Sequence, residues 1–303
     1  MGAPILEADG LVKSYSGHRV VDGLSLQCRE GSVFGLLGPN GAGKTTTLRM
    51  LYGFITPEAG RIRYRGQDFA EHRTELKRII GVCTQDDTLD PDFTVAQNLR
   101  VYAGYFRPVE SDLDARIDEL LDRFGLRAYA DHAPDQLSGG YRKRLLIARS
   151  IVHRPRILFL DEPTTGLDPR ARVDVWELVD AMRSEGMAVI LTTHYMDEAE
   201  RLSDELLVLS LGRAVAQGTP AEVLGSLLGE HVLVVPAAER AGDAIRDWLR
   251  SELGKQPSVV LGELRAPLSG HELALFSERF REARFEVRPP NLDDLFLDLS
   301  VGT

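Results

Sequence analysis

Residues 38–45 read GPNGAGKT, and the chemistry this spacing offers is capture of a phosphate. Gly38, Gly41 and Gly43 let the backbone curl until several N–H groups face one anion, with Pro39, Asn40 and Ala42 completing the loop. Lys44 can reach the β- and γ-phosphates of a nucleotide, the Thr45 hydroxyl can coordinate Mg²⁺, and Thr46 can donate to a phosphate oxygen. A second reactive group stands at Asp161 and Glu162, delivered by the apolar run Ile157 to Leu160. Alone, such a pair reads as a solvated helix start. Beside a phosphate loop, Asp161 is suited to hold Mg²⁺, and Glu162 to orient and deprotonate an attacking water. A third group is Ser138, Gly139 and Gly140, whose hydroxyl and N–H groups open a helix and make a second anion seat. Two phosphate seats in one chain suggest that two copies pair.

These groups need a scaffold. Strand-like runs VFGLLG, IIGVCTQ, ILFLDEP and AVILTTH alternate with helical patterns through residue 215, which predicts an α/β class with a parallel sheet covered by helices. GPNGAGKT lies between strand SVFGLL and helix TTLRMLYGF, the setting in which the motif has mechanical meaning. Leu113, Ile117, Leu120 and Phe124 share one helical face, with Ser111 as N-cap and Gly125 past the end, in an insertion that precedes residue 137. After Gly218 the pattern changes to strand HVLVVP, a helix carrying Ile245, Trp248, Leu249 and Leu253, strand SVVLGEL, helix ELALFSERFREA and strand FEVRP. The expectation is a first domain over 1–227 and a small α+β domain over 228–303. NLDDLFLDLS predicts a short closing helix capped by Asn291, with Leu292, Leu295, Phe296 and Leu299 available to pack.

With 303 residues, 43% of them hydrophobic, the chain has material for two cores. Its longest apolar runs stop far short of the roughly 20 residues a membrane helix needs. The start MGAPILEADG lacks a secretory pattern and Gly2 lacks a myristoylation context, so a cytoplasmic location is expected, with any membrane attachment made through a partner. Cys28 and Cys83 stand far apart and read as buried thiols rather than a disulfide or zinc site. A net charge of −10 opposes binding to nucleic acid.

Residues 137–144, LSGGYRKR, lie between the phosphate loop and ILFLDEP, and in that order they resemble the signature sequence of ATP-binding cassette (ABC) ATPases. The resemblance runs from residue 5 to about 225. It implies a P-loop NTPase: a RecA-like parallel sheet with an antiparallel β subdomain and a helical signature subdomain over about 87–155. It implies ATP and Mg²⁺ as ligands, and a head-to-tail dimer in which each ATP lies between one P-loop and the other copy's Ser138, Gly139 and Gly140. Gln85 matches the glutamine that touches Mg²⁺ and the attacking water and begins the segment facing a membrane partner. Asp168 matches an acidic residue at the dimer interface, and His194 the switch histidine on the γ-phosphate. Tyr15 matches the aromatic that stacks on adenine, although a tyrosine between two early strands also packs against a core. Catalysis is thereby expected of Glu162, His194, Gln85 and Lys44. The usual glutamine at the fifth signature position is Tyr141 here.

One motif set argues against twin-cassette translation factors, and the short insertion against the coiled-coil ATPases of chromosome maintenance. TVAQNLRVYAGYF, PTTGLDPRAR and NLDDLFLDLS resemble the ATPase subunits of daunorubicin-resistance and nodulation-factor exporters. An exporter ATPase on the inner face of the cell membrane, driving an integral-membrane permease, is therefore expected. The alternatives are an importer motor, a soluble ATPase acting on a cytosolic partner, and a module that binds ATP without hydrolysing it.

Overall fold

A computed structural model describes residues 4–106, 111–236, 239, 241–260 and 262–295. The chain divides into two compact units, 1–215 and 216–303. No helix of the described residues is long and apolar enough to cross a membrane.

In the first unit the strands are β1 (Pro4–Tyr15), β2 (His18–Arg29), β3 (Val33–Leu37), β4 (Ala59–Tyr64), β5 (Gln67–Asp68), β6 (Ile80–Cys83), β7 (Ile157–Asp161), β8 (Ala188–Thr193), β9 (Glu205–Ser210) and the start of β10 (Arg213–Gly218), which runs across the division. Six of them form one sheet in the order β10-β9-β3-β8-β7-β6, and the pairings from β9 to β6 are parallel. β3, β7 and β8 are buried along their whole length, covered on both faces, which is why they read as continuous apolar runs. A second, antiparallel sheet has the order β2-β1-β4-β5. In β2, Leu24, Leu26 and Cys28 are buried between exposed Ser25 and Gln27, the alternation of a strand with one wet face. Cys28 and Cys83 are free buried thiols, and burial pushes Cys28 up to about 12.

The insertion carries helices Val95–Ala103, Leu113–Arg123 and Gly139–Ser150. Ile117, Leu120 and Phe124 are buried as their spacing predicts. The N-cap, however, is Asp112 rather than Ser111, and it makes no cap bond because its two oxygens accept from Arg154 at 3.1 and 2.7 Å. Just past helix Gly139–Ser150, His153 stacks on Phe106 at 3.5 Å and its Nε2–H donates to the Ile80 carbonyl at 2.9 Å. It thereby ties the insertion to the start of β6.

The second unit comprises helix Pro220–Leu228, β11 (His231–Val235), helix Gly242–Ser251, β12 (Ser258–Val260), β13 (Glu263–Leu268), helix Gly270–Arg279 and β14 (Glu286–Arg288). The antiparallel sheet order β12-β13-β11-β14 makes residues 231–288 a β-α-β-β-α-β split unit. Leu233, Val235, Leu264, Ala266 and Leu268 on one sheet face pack with Ile245, Leu249 and Phe276 of the helices. SVVLGEL, expected as one strand, is a hairpin instead, reversing at Gly262 with φ 84°. The division at 215/216 precedes the expected 227/228 because helix Pro220–Leu228, with Val223, Leu224 and Leu228 buried, belongs to the second unit. Near the end, Asn291 and Asp294 each accept the other's backbone N–H at 3.1 Å, and Leu292 and Leu295 are buried. Phe296 and Leu299 lie outside the described residues.

Burial lowers His153 from 6.5 to about 4. Between those values the unfolded chain binds the extra proton, so His153 removes stability as pH falls through that window. The loss at the acid end is expected to reach roughly 3 kcal/mol. Urea unfolding at neutral and mildly acid pH measures it, and His153→Gln should show a shallower decline than the natural chain.

Candidate active site

The loop after β3 leads into helix Lys44–Leu51, whose N-cap Gly43 is left-handed at φ 101° and supplies no side chain to the first-turn N–H groups. Those donors are free to face an anion. A Cβ at Gly43 would lie 2.5 Å from the Val20 carbonyl oxygen, and one at Gly38 2.3 Å from that of Leu209, so the loop is wedged between β2 and β9 where only glycine fits. Ala42 is buried and its carbonyl accepts from Gly212 at 3.2 Å, while Asn40 and Gly41 are exposed at the tip and Pro39 is half-buried. Lys44 is buried and its Nζ donates to the carbonyls of Gly38 and Pro39 at 2.8 and 3.2 Å, so the ammonium is curled over the loop. Burial lowers its pKa, opposed by Glu162 and Asp161. Thr45 and Thr46 follow, both half-buried.

The parallel register sets Asp161 of β7 opposite Thr192 of β8. The Thr192 hydroxyl donates to Asp161 Oδ1 at 2.6 Å, and the Thr45 hydroxyl donates to the same oxygen at 3.3 Å. Glu162 adopts φ 49°, a left-handed backbone on a side-chain-bearing residue. Its N–H donates to both the carbonyl and the hydroxyl of Thr192 at 3.1 Å, bonds that hold this strained turn. Glu162 Oε2 accepts from Gln85 Nε2 at 3.3 Å and from the Thr165 hydroxyl at 3.1 Å, and lies 3.3 Å from His194 Nδ1. Gln85 follows β6, Glu162 follows β7 and His194 follows β8, so three adjacent strands deliver them to one carboxylate oxygen. Thr45, Asp161 and Gln85 offer hard oxygen donors, the kind a small divalent cation takes.

The remaining residues form separate groups. Ser138 caps helix Gly139–Ser150 with an extended backbone and makes no cap bond, leaving its hydroxyl uncommitted to that helix. Asp168 caps helix Pro169–Ser184, its Oδ1 accepting from the N–H groups of Arg170 and Ala171 at 3.0 Å. The two helix starts are neighbours, since a Cβ on Gly140 would lie 3.0 Å from that of Ala171. Ser138, Gly139, Gly140 and Asp168 are thus brought together with each other. Tyr141 is packed inside the insertion, 4.6 Å from the Tyr129 ring with the Arg144 guanidinium over it. Tyr15 is 45% exposed at the β1–β2 turn, with the Lys13 ammonium 5.8 Å from its ring, and is no part of the core. Sequence reasoning passed over Thr165 and Thr192. The available signal was a pair of threonines beside each chemical motif, in EPTTG and LTTH.

Comparison with known proteins gives concordant findings. The ABC transporter family profile matches residues 21–165. The Nod factor export ATP-binding protein I of Ralstonia nicotianae is 41% identical over 313 residues, spanning 98% of this chain and 94% of the relative. The solved structure of cbiO1 from Clostridium perfringens, part of the ABC transporter complex cbiONQ, superposes with a TM-score of 0.68 at 29% identity, over 84% of this chain and 97% of that one. A dimeric structure of MJ0796, a bacterial ABC transporter cassette, gives 0.64 at 25% identity, over 71% and 98%.

Replacing Thr192 by valine leaves the shape but removes the shorter of the two hydroxyl donors to the buried Asp161 carboxylate, leaving only the 3.3 Å bond from Thr45. Stability in urea unfolding should fall by about 1–3 kcal/mol. Thr165→Val, at a half-buried position, should change it by no more than about 0.5 kcal/mol.

Proposed function

The chain belongs to the ABC transporter ATP-binding family, and from that premise we propose that it is the motor of an exporter, hydrolysing ATP to drive a separate integral-membrane permease. The observation that supports hydrolysis best is the convergence of Gln85, Thr165 and His194 on Glu162 Oε2, beside Lys44. The loop N–H groups, Lys44 and Thr46 bind the phosphates of ATP. Thr45, Gln85 and Asp161 would hold Mg²⁺, which supplies neutralisation of charge between the β- and γ-phosphates. Among the described residues no cluster of three His, Cys, Asp or Glu stands ready for a metal, and a donor set this sparse suits an ion that shares its shell with phosphate and water.

Glu162 takes the proton of the attacking water. Gln85 and Thr165 fix its carboxylate, and His194, its Nδ1 3.3 Å from Glu162, serves the γ-phosphate. The exposed Tyr15 ring offers a face for adenine. Ser138, Gly139 and Gly140, at the start of their own helix, serve the ATP of a second copy in a head-to-tail pair, with Asp168 beside them at that interface. Binding of ATP then closes the dimer and hydrolysis releases it, and the segment beginning at Gln85 passes the movement to the permease. We place the chain on the cytoplasmic face of the cell membrane, held there by the permease. The export direction follows the relative named for Nod factor export.

Glu162→Gln should lower ATP turnover by at least about 10²-fold. It should still bind ATP and elute as a dimer in ATP and Mg²⁺. Wild-type turnover in this variant would remove Glu162 as the base, and a monomer at saturating ATP would remove the sandwich.

A further inference from the structure

Four residues after His194 the chain buries a carboxyl that the hydrolytic scheme leaves unused. Glu198, on helix Met196–Leu202, is 0% exposed. Its Oε1 accepts from the indole Nε1 of Trp176 at 3.0 Å, on the helix that Asp168 caps. The hydroxyls of Thr193 and Thr164 lie beside the carboxyl and offset part of the rise in its pKa that burial imposes. Thr164 nonetheless stops short of a closed bond: its Oγ1 and Glu198 Oε2 are both buried and unpartnered. The nearby Arg172 does not neutralise Glu198 directly. Its guanidinium pairs with Asp197 at 3.2 Å and covers the Tyr195 ring at 4.0 Å.

A polar group this deep costs stability unless it is bonded, and here its bond to Trp176 joins two separate helices. Thr164 stands two residues past Glu162, and Thr193 immediately precedes His194. Trp176 belongs to the helix that begins at the expected dimer interface. We propose that Glu198 is a positioning residue for hydrolysis: bonded to Trp176, with Thr164 and Thr193 beside it, it holds the helix that follows His194 against the helix that Asp168 caps. The 3.3 Å approach of His194 Nδ1 to Glu162 Oε2 is then set from behind, by a side chain that meets neither ATP nor water. This role presupposes that Glu162 and His194 act on ATP, as proposed above.

The test is steady-state ATP turnover of the full chain with Mg²⁺, resolved into kcat and KM. Glu198→Gln keeps the shape, the acceptor for Trp176 and a donor for Thr164, and should stay within about twofold of the natural chain. Glu198→Leu fills the space without polar atoms, and its kcat should fall about 10- to 100-fold at unchanged ATP KM, the scale of a small misplacement of reacting groups. Trp176→Phe, which withdraws one donor from the same carboxyl, should lower kcat several-fold at unchanged KM and carries the test if the leucine variant does not fold. Wild-type kcat in both the leucine and phenylalanine variants overturns the proposal. So does a change confined to KM, or a glutamine variant as slow as the leucine one. Glu162→Gln, run alongside, separates the two ideas. Turnover surviving in it fells the hydrolytic scheme itself, whereas turnover lost there but unaltered by Glu198 changes fells only the positioning role.

Discussion

One hydroxyl, that of Thr192, sits at the point where the reactive segments meet. It accepts the Glu162 N–H and donates to Asp161 Oδ1, the same oxygen that the Thr45 hydroxyl reaches from the phosphate-loop helix. A single chain of bonds therefore runs from the backbone of Glu162, through β8, to the first helix. Its geometry comes from the parallel register of β7 and β8, which sets Asp161 against Thr192. A slip of one residue would turn every side chain of the strand to the opposite face. The left-handed turn at Glu162 also depends on it, because backbone strain persists only where surrounding bonds over-determine it.

The glycines of the phosphate loop impose a comparable constraint from below. Gly43 and Gly38 admit no side chain because the carbonyls of Val20 and Leu209 press against them. The loop is thereby clamped between the antiparallel β2 and the parallel β9, and its N–H groups are fixed before any phosphate arrives. Preorganised donors pay no reorganisation when a charge enters, which is where such a loop gains its strength.

Much of this was legible in the residues. The buried parallel strands announce themselves as unbroken apolar runs, and GPNGAGKT, ILFLDEP and LSGG mark the ends at which they deliver chemistry. What stayed hidden depends on partners distant in sequence. Asp112 replaces Ser111 as the cap, and its oxygens are taken by Arg154, 42 residues away. Thr192 and Thr165 gain their significance from strand register and from a turn, neither of which a local pattern encodes. Tyr15 could not be separated from a core residue until the β1–β2 turn set its ring outside. The β12–β13 hairpin was missed because its apolar residues continue across Gly262, and only the glycine hints at the reversal. Helix Pro220–Leu228 looked like the tail of the first pattern, since amphipathic periodicity says which face is buried and not what buries it.

The chain has two tryptophans, and the fold allots one to each unit. Trp176 is half-buried with its indole bonded to Glu198, whereas Trp248 lies in an aromatic nest with Phe276 and Phe280. Each unit thus contains its own intrinsic fluorophore, in a distinct electrostatic setting. With Trp248 replaced by phenylalanine, near-ultraviolet emission comes from one indole, bonded to the buried carboxyl of Glu198. With Trp176 replaced instead, the same light reports the split β-α-β-β-α-β unit alone. The molecule carries two optical channels that need no added dye, and melting curves read through them can resolve which unit loosens first.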